Sequence, residues 1–292
     1  MFARAPGNRG PRRLIGGMDV AVVGAGAIGV LLAAELQAAG RDVTVCARRP
    51  FERLVVEGRH DLAARVVTEP SGSADWVLVA LKAQDSRAAA PWIDALGGQV
   101  VAVQNGIEHR ENLGPDALPA IITAATERLG EGRVRHHHGH KLQLPDEPVS
   151  SRLADLFEGT MMDVQLVGDF HTEAWRKLLG NATANPITAL TRARMGIFKD
   201  DRIKELGRGV LAEAIAVGTA EGARFAADEV EQRMAGFLAM PADNGSSMLY
   251  DRLAGRPLEY EALSGAVVRA AERHGIDVPL NRALYALLSA AR

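Results

Sequence analysis

A glycine-rich turn near the start of the chain constrains the fold more than any other feature. Asp19–Val23 is a β-branched run typical of a strand, and the alanine-rich stretch Ala27–Ala39 predicts a helix that ends at Gly40. The turn between strand and helix has G-x-G-x-x-G spacing and consists of Gly24, Ala25, Gly26, Ala27, Ile28 and Gly29. A strand–turn–helix context for this spacing predicts a dinucleotide phosphate site.

Each glycine of this turn has a separate physical purpose. Gly24 permits the tight turn, Gly26 lets the backbone approach a pyrophosphate, and Gly29 lets the helix pack closely on the strand. The free N–H groups at the helix N-terminus then attract phosphate. The alternative is a glycine-rich turn with no ligand, because short glycine patterns recur by chance.

Strand-like and helical segments alternate after this turn. Further strands are predicted at Asp42–Cys46, Trp76–Leu81 and Gln99–Val103, with a helix over Ser86–Leu96. This alternation indicates βαβ units and a parallel sheet. Shorter strands, expected to form an antiparallel edge, are predicted at Ile121–Thr126, Arg133–His138 and Lys141–Leu144.

The second half of the chain has a helical texture. Long alanine- and leucine-rich segments are predicted as helices over Ile203–Gly222, Glu259–His274 and Arg282–Ala291. We therefore predict a Rossmann-like α/β domain over residues 18–168 and an all-α domain over residues 169–292. Residues 1–17 are expected to be a disordered leader, with a transit peptide as the alternative.

Composition limits the classes of function. The net charge of −2 gives no bulk attraction to nucleic acid or to an anionic membrane, so neither is expected as a partner. No apolar run approaches the roughly 18 residues of a membrane span. Cys46 is the single cysteine, which excludes an intrachain disulfide and a cysteine-based metal cluster. We expect a cytoplasmic protein without a metal.

The residues after the second predicted strand indicate which dinucleotide is bound. A site for NAD usually has an acidic residue here, which accepts hydrogen bonds from the ribose 2′-OH. This chain instead has Cys46-Ala47-Arg48-Arg49, and a guanidinium suits a 2′-phosphate. NADPH is therefore expected over NADH. Arg48 is the candidate ligand, because Arg49 precedes Pro50 and fits a solvated loop.

Three polar residues form a stripe in the helical half. Lys177, Asn181 and Asn185 follow one another at intervals of four residues, which places them on one face of a helix. One ammonium and two amides suit a surface that binds an oxygen-rich small molecule. The alternative is an ordinary solvated helix face. Pro186 is expected to limit or kink this helix.

A second polar cluster lies nearer the C-terminus. Ser247 and Asp251 would be neighbours on one helix face, while Ser246 or Asn244 fits an N-cap. Glu259 fits either a functional carboxylate or a first-turn acid.

A run of histidines is the remaining oddity of the sequence. Successive residues of a strand point to opposite faces, so these side chains cannot all bind one metal. We interpret them as part of an exposed strand; they are His136, His137, His138 and His140.

Five stretches in order resemble the ketopantoate reductase (2-dehydropantoate 2-reductase) family. They are GAGAIG at Gly24, LKAQD at Leu81, QNGIE at Gln104, WRKLLGNATANPITAL at Trp175 and SSMLYDRLAGRPLE at Ser246. The last two are specific to that family, whereas the first is shared by many dehydrogenases. The resemblance implies a Rossmann domain joined to a helical domain, and reduction of ketopantoate to pantoate by NADPH in pantothenate biosynthesis.

The resemblance also implies roles for individual residues. Lys177 would be the general acid, and Glu259 would orient hydroxyl groups of substrate or cofactor. The remaining substrate candidates are Asn105, Asn181, Asn185, Asn244 and Ser247, and the remaining cofactor candidates are Arg48, Lys82, Asn105 and the glycine-rich turn. A homodimer is a further expectation.

Two departures from the family pattern keep other readings open. Asp85 occupies a position that is often glutamine in the family, and Gln84 lies one place earlier. Met195 occupies a position where some members have a polar residue that helps to hold substrate. Another small branched 2-keto acid is therefore an alternative substrate. A non-catalytic NADP(H)-binding sensor is the alternative from another class, since a fold alone does not determine function.

Overall fold

The structure is a computed structural model, which describes residues 19–291. The predicted leader, residues 1–17, lies outside the described residues. Within the described range, two sheets and a set of helices form the molecule. Among these residues, no helix is both long enough and apolar enough to cross a membrane.

The first sheet is parallel and has the order β5-β2-β1-β6-β7-β8. Its strands, within the described residues, are β1 (Asp19–Val23), β2 (Asp42–Cys46), β5 (Val66–Val67), β6 (Trp76–Val79), β7 (Gln99–Ala102) and β8 (Leu118–Pro119). The first helix, α1 (Ala27–Ala38), packs on this sheet through a fully buried apolar face. The Rossmann-like prediction is confirmed. The predicted helix Ser86–Leu96 is divided into a 3₁₀ segment (Ala83–Ala89) and α2 (Ala90–Leu96).

The later strands form a second sheet rather than an edge of the first. Its order is β11-β10-β3-β4, with β9 pairing antiparallel to β10. These strands are β3 (Arg53–Val56), β4 (His60–Ala63), β9 (Ile121–Gly130), β10 (Arg133–Pro145) and β11 (Asp163–Val167). The antiparallel pairing of the predicted strands is confirmed as β9 with β10, but their placement at an edge of the first sheet is wrong. Arg133–His138 and Lys141–Leu144 are one irregular strand, which the turn-like Gly139 made look like two.

The helix α1 lies between the two sheets and contacts strands of both. Its Glu35 is 1% exposed and accepts hydrogen bonds from Arg59 and from the Met161 amide, with His60 also on the carboxylate. Burial raises the pKa of Glu35, but these hydrogen bonds outweigh it and lower the pKa below its usual value. This buried, charge-compensated carboxylate ties α1 to the second sheet.

Two short helices of the first half were not predicted from the sequence. They are α3 (His109–Leu113) and α4 (Pro148–Leu156). Each has fewer than ten residues, so helical periodicity has little length in which to show.

The C-terminal half is helical, as predicted. Its helices are α5 (Phe170–Thr191), α6 (Asp201–Ala220), α7 (Glu229–Ala239), α8 (Ser247–Leu253), α9 (Ala266–His274) and α10 (Pro279–Ala290). Asp169 caps α5 by accepting a hydrogen bond of 3.2 Å from the Thr172 amide. The boundary between residues 168 and 169 stays a prediction.

One of the alternatives expected at each of two helix ends in this half is wrong. The helix α5 does not stop at Pro186 but continues to Thr191, because Ile187 and Ala189 are buried in the helical core. Tertiary packing here outweighs the lost hydrogen bond of proline. Glu259 lies in a loop, since the helix predicted over Glu259–His274 begins with a π turn at Glu261–Gly265.

Candidate active site

The candidate site lies where the parallel strands of the first sheet end. β1 pairs with both β2 and β6, so the connections leave the sheet in opposite directions at this point. Such a switch point forms a crevice at the carboxyl ends of the strands. The glycine-rich turn, Arg48, Lys82 and Asn105 all follow strands at this edge.

The three motif glycines are required for different reasons. A Cβ on Gly29 would lie 1.9 Å from the Gly24 oxygen, and Gly24 itself has a φ of +111°. A Cβ on Gly26 would meet its nearest described atom at 3.8 Å, so Gly26 leaves space that the rest of the described chain does not fill. A pyrophosphate at the N-terminus of α1 fits that space.

The two arginines after β2 differ in their surroundings. Arg49 lies 4.0 Å from the Glu131 carboxylate, whereas the exposed Arg48 forms no hydrogen bond or ion pair with residues 19–291. The Arg48 guanidinium is therefore available to an anion at the end of β2.

Lys82 follows β6 and reaches the helical domain. Its Nζ donates hydrogen bonds of 2.6 Å to Asp251 and 2.7 Å to the Pro257 carbonyl. Arg256 donates to the other oxygen of the same carboxylate at 2.7 Å. These contacts join the predicted cofactor loop to α8, a junction that was not foreseen. The i, i+4 relation of Ser247 to Asp251 was the sequence signal nearest to it.

Glu259 forms a second junction between the domains. Its Oε2 accepts a hydrogen bond of 3.1 Å from Asn105, and its Oε1 accepts one of 3.4 Å from the Ala83 amide. The structure therefore brings Asn105 and Glu259, two predicted site residues, into direct contact.

Lys177 lies on α5 within electrostatic range of Glu259. Burial lowers the pKa of Lys177 to about 8, and the Glu259 carboxylate opposes that shift. No residue from 19 to 291 accepts a hydrogen bond from its Nζ. This ammonium, partly shielded from water, is therefore available to a substrate oxygen, and it is easier to deprotonate than an ordinary lysine.

The two predicted amides share the helix with Lys177. Asn181 is half-buried, and Asn185 is 4% exposed with an Nδ2 that has no partner in the described part of the chain. A buried amide donor without a partner is costly, so an acceptor from a ligand would satisfy it.

The loop before α8 contains the remaining predicted site residues. Ser246 is the N-cap, accepting a hydrogen bond of 3.1 Å from the Leu249 amide, as one sequence alternative predicted. Ser247 is exposed, whereas the Asn244 amide lies 3.4 Å from His138 of β10. His137 stacks on Tyr250 with ring centroids 6.3 Å apart. The histidine run is largely exposed, but it also contacts this loop.

His109 is a site residue that sequence reasoning missed. It is buried at the start of α3 and lies within electrostatic range of Lys177. Its position five residues after Gln104 in the QNGIEH stretch was the available signal.

Comparison with known proteins supplies the family. Residues 20–148 match the model described as "Ketopantoate reductase PanE/ApbA", and residues 169–292 match "Ketopantoate reductase PanE/ApbA C terminal". The chain belongs to the ketopantoate reductase family. The resemblance seen in the sequence is thereby confirmed, as is the prediction of an oxidoreductase.

Similar members of the ketopantoate reductase family span nearly the whole chain. The 2-dehydropantoate 2-reductase of Caulobacter vibrioides is 39% identical over 287 residues, covering 94% of this chain and 99% of that protein. The Mycobacterium tuberculosis protein of the same name is 37% identical over 289 residues, with 93% and 97% covered. A structure of dimeric ketopantoate reductase from Staphylococcus aureus has a TM-score of 0.86 at 26% identity, covering 94% and 98%. The ketopantoate reductase family and the Rossmann fold imply a nicotinamide cofactor.

Proposed function

We propose that this chain reduces 2-dehydropantoate to pantoate with NADPH, as a step of pantothenate biosynthesis, with Lys177 as the general acid. The observation that carries this proposal is the ammonium of Lys177, partly shielded from water, without a hydrogen-bond partner among residues 19–291 and with a pKa of about 8. It belongs to the same cleft as Glu259 and Asn105, next to the strand ends that hold the dinucleotide motif.

The residues of the cleft suit reduction of a ketone. A nicotinamide held at the strand ends would supply the hydride, and negative charge would develop on the carbonyl oxygen. Lys177 stabilises that charge and donates the proton at its Nζ. Asn181 and Asn185 offer amide donors to substrate oxygens without adding charge, and the open hydroxyl of Ser247 suits the carboxylate end.

Further groups are assigned to the cofactor and to orientation of the substrate. Glu259 orients hydroxyl groups, while Lys82 and Asn105 lie toward the nicotinamide ribose. Arg48 is the group that selects NADPH, because its exposed guanidinium has no described partner whereas Arg49 has Glu131 nearby. Asn244 is retained as a substrate contact, since its amide makes only a long contact of 3.4 Å with His138.

One observation favours a second substrate class. Some family members have a polar side chain that helps to hold substrate at the position of Met195. Met195 is 4% exposed and packs in the helical core, so it cannot make that contact. Another small branched 2-keto acid is therefore the second candidate.

The test is NADPH oxidation by the purified protein with 2-dehydropantoate, ketoisovalerate and oxaloacetate, repeated on Lys177→Ala. We expect fastest turnover with 2-dehydropantoate and a fall of roughly 10²-fold or more in kcat for the variant. The exposed Lys199→Ala is the matched control and should keep wild-type rates. Preference for ketoisovalerate would favour the second candidate, and tight NADPH binding without turnover would favour a sensor.

Assembly and location follow from the same proposal. The related S. aureus enzyme is described as dimeric, which supports a homodimer here. The molar mass of the purified protein, measured by light scattering during size-exclusion chromatography, would test this. The cytoplasmic location stays a prediction from the single cysteine.

A further inference from the structure

The segment from Gln104 to His109 is wedged between the two domains. Gly106 has a φ of +97°, and a Cβ there would lie 3.0 Å from the Ala262 carbonyl of the π turn. Ile107 packs against the helical core. Glu108 accepts hydrogen bonds of 3.0 and 2.7 Å from Arg269. Asn105 belongs to this segment, so its placement depends on how firmly the segment is held.

The side chain of Gln104 ties this segment to the neighbouring strand end. Its Nε2 donates to the Leu81 carbonyl at 2.9 Å, and its Oε1 accepts a hydrogen bond of 3.1 Å from Ser86. The loop that carries Lys82 and the loop that carries Asn105 are therefore linked through one buried side chain.

His109 holds the backbone of the same residue. Its Nε2 lies 3.2 Å from the Gln104 carbonyl, and because a carbonyl only accepts, Nε2 carries the proton and donates. The ring is 5% exposed, so the hydrogen bond is shielded from water. The carbonyl that His109 fixes belongs to the peptide unit leading directly into Asn105.

The charge state of His109 suits this arrangement. Burial lowers its pKa to about 4, the Gln104 carbonyl opposes that shift, and the nearby Lys177 ammonium adds to it. The imidazole is therefore neutral at pH 7 and does not oppose the positive charge of Lys177.

We propose that His109 is a positioning residue for the reduction, because its hydrogen bond to the Gln104 carbonyl holds Asn105 in place beside Glu259. This inference rests on the proposed function. The one described hydrogen bond of His109 goes to the Gln104 carbonyl and not to the glycine-rich turn, so His109 acts on alignment of the reactants and leaves the phosphate contacts of the dinucleotide unchanged.

The test compares His109→Leu with His109→Gln, whose amide can reach the same carbonyl. His171→Leu is the matched control, since His171 also bonds a backbone carbonyl, at 3.0 Å, but is exposed at the start of α5. The measurements are kcat, KM, NADPH dissociation by fluorescence, and the deuterium isotope effect on kcat with NADPH deuterated at C4.

For His109→Leu we expect kcat to fall roughly 10- to 100-fold, because small displacements of aligned groups are costly. The isotope effect should increase as hydride transfer becomes slower, while the NADPH dissociation constant should change far less than kcat, since the glycine-rich turn and Arg48, the proposed phosphate contacts, are untouched. His109→Gln should recover most of the lost rate, and His171→Leu should match the wild type.

Several results would overturn the proposal. One is a His109→Leu enzyme with unchanged kcat; another is a folded His109→Gln enzyme as slow as His109→Leu. A lower melting temperature with an unchanged isotope effect would make His109 a merely structural residue.

Hydrogen exchange gives a readout that needs no turnover. Amides of residues 104–108 should exchange faster in His109→Leu and at wild-type rates in His109→Gln; equal exchange in all three would contradict the inference. A wild-type protein inactive with every keto acid would instead refute the proposed function, so the two failures are distinguishable.

Discussion

Lys82 and Asp251 join the two domains through a hydrogen bond of 2.6 Å between Nζ and Oδ2. The Asp251 side chain is only 14% exposed and also accepts a hydrogen bond from Arg256. One carboxylate therefore neutralises two cations at the mouth of the cleft, and its loss would leave both without their charged partner.

Asp251→Asn should accordingly lower the free energy of unfolding by about 1.5–3 kcal/mol, the scale for hydrogen bonds to charged groups. Urea denaturation measures this. Asp61→Asn, which weakens the exposed Arg53–Asp61 pair, is the control and should cost less than about 1 kcal/mol. Equal losses in the two variants would mean that the junction contributes no more than a surface ion pair.

Activity should depend on the protonation of Lys177. A general acid must carry its proton, and burial lowers the pKa of Lys177 to about 8. The rate is therefore expected to be highest below pH 8 and to fall as pH rises through that value. The measurement is kcat/KM between pH 6 and pH 10, at intervals of roughly one pH unit.

Glu259→Gln should shift the fall in rate at high pH (the basic limb of the pH profile) to lower pH, because the carboxylate of Glu259 raises the pKa of Lys177. The absolute rate should fall as well, since Asn105 loses a charged partner. Glu231→Gln, at a surface pair with Arg208, should leave the limb in place. If the rate of Glu259→Gln falls at the same pH as that of the wild type, the Glu259 carboxylate does not influence the pKa of the proton donor.

Arg48→Ala should weaken the binding of NADPH more than the binding of NADH, since the guanidinium would contact only the 2′-phosphate, which NADH lacks. Hydrogen bonds between charged groups contribute about 1.5–3 kcal/mol, so the ratio of the two Michaelis constants should change roughly 10- to 100-fold. Arg49→Ala, which removes the residue near Glu131, should change that ratio much less. An unchanged ratio in Arg48→Ala would exclude Arg48 as the selecting group.

Alanine at the motif glycines should separate folding from binding. Gly29→Ala places a Cβ 1.9 Å from the Gly24 oxygen and should destabilise the fold severely. Gly26→Ala meets its nearest described atom at 3.8 Å, so it should fold normally yet bind NADPH at least about tenfold more weakly. Thermal melts and fluorescence titration measure the two effects. Wild-type affinity in Gly26→Ala would place the pyrophosphate elsewhere.

The elements with strong local signals could be predicted from the sequence. The β1–α1 unit was foreseen because Gly24, Gly26 and Gly29 combine turn chemistry with a β-branched run and an alanine-rich helix. The stripe of Lys177, Asn181 and Asn185 was foreseen because helical spacing alone sets its face.

The missed features depend on contacts between distant residues. His109 becomes notable only when α3 comes within electrostatic range of Lys177 on α5, and Lys82 meets Asp251 across 169 positions of sequence. The second sheet was misread for a similar reason, since the partner strand β3 is only four residues long. The path of α5 through Pro186 required knowledge of the core that surrounds it.

The placement of three polar side chains on the single helix α5 has a consequence for how the specificity of this enzyme can be changed. The proposed cofactor contacts come from separate loops after β1, β2, β6 and β7, whereas Lys177, Asn181 and Asn185 share one 22-residue segment. The three α5 residues proposed to contact the keto acid are thus encoded apart from the loops proposed to bind the nucleotide. Substitution of Asn181 and Asn185 on this one helix is therefore a route to a new substrate that keeps the reductant.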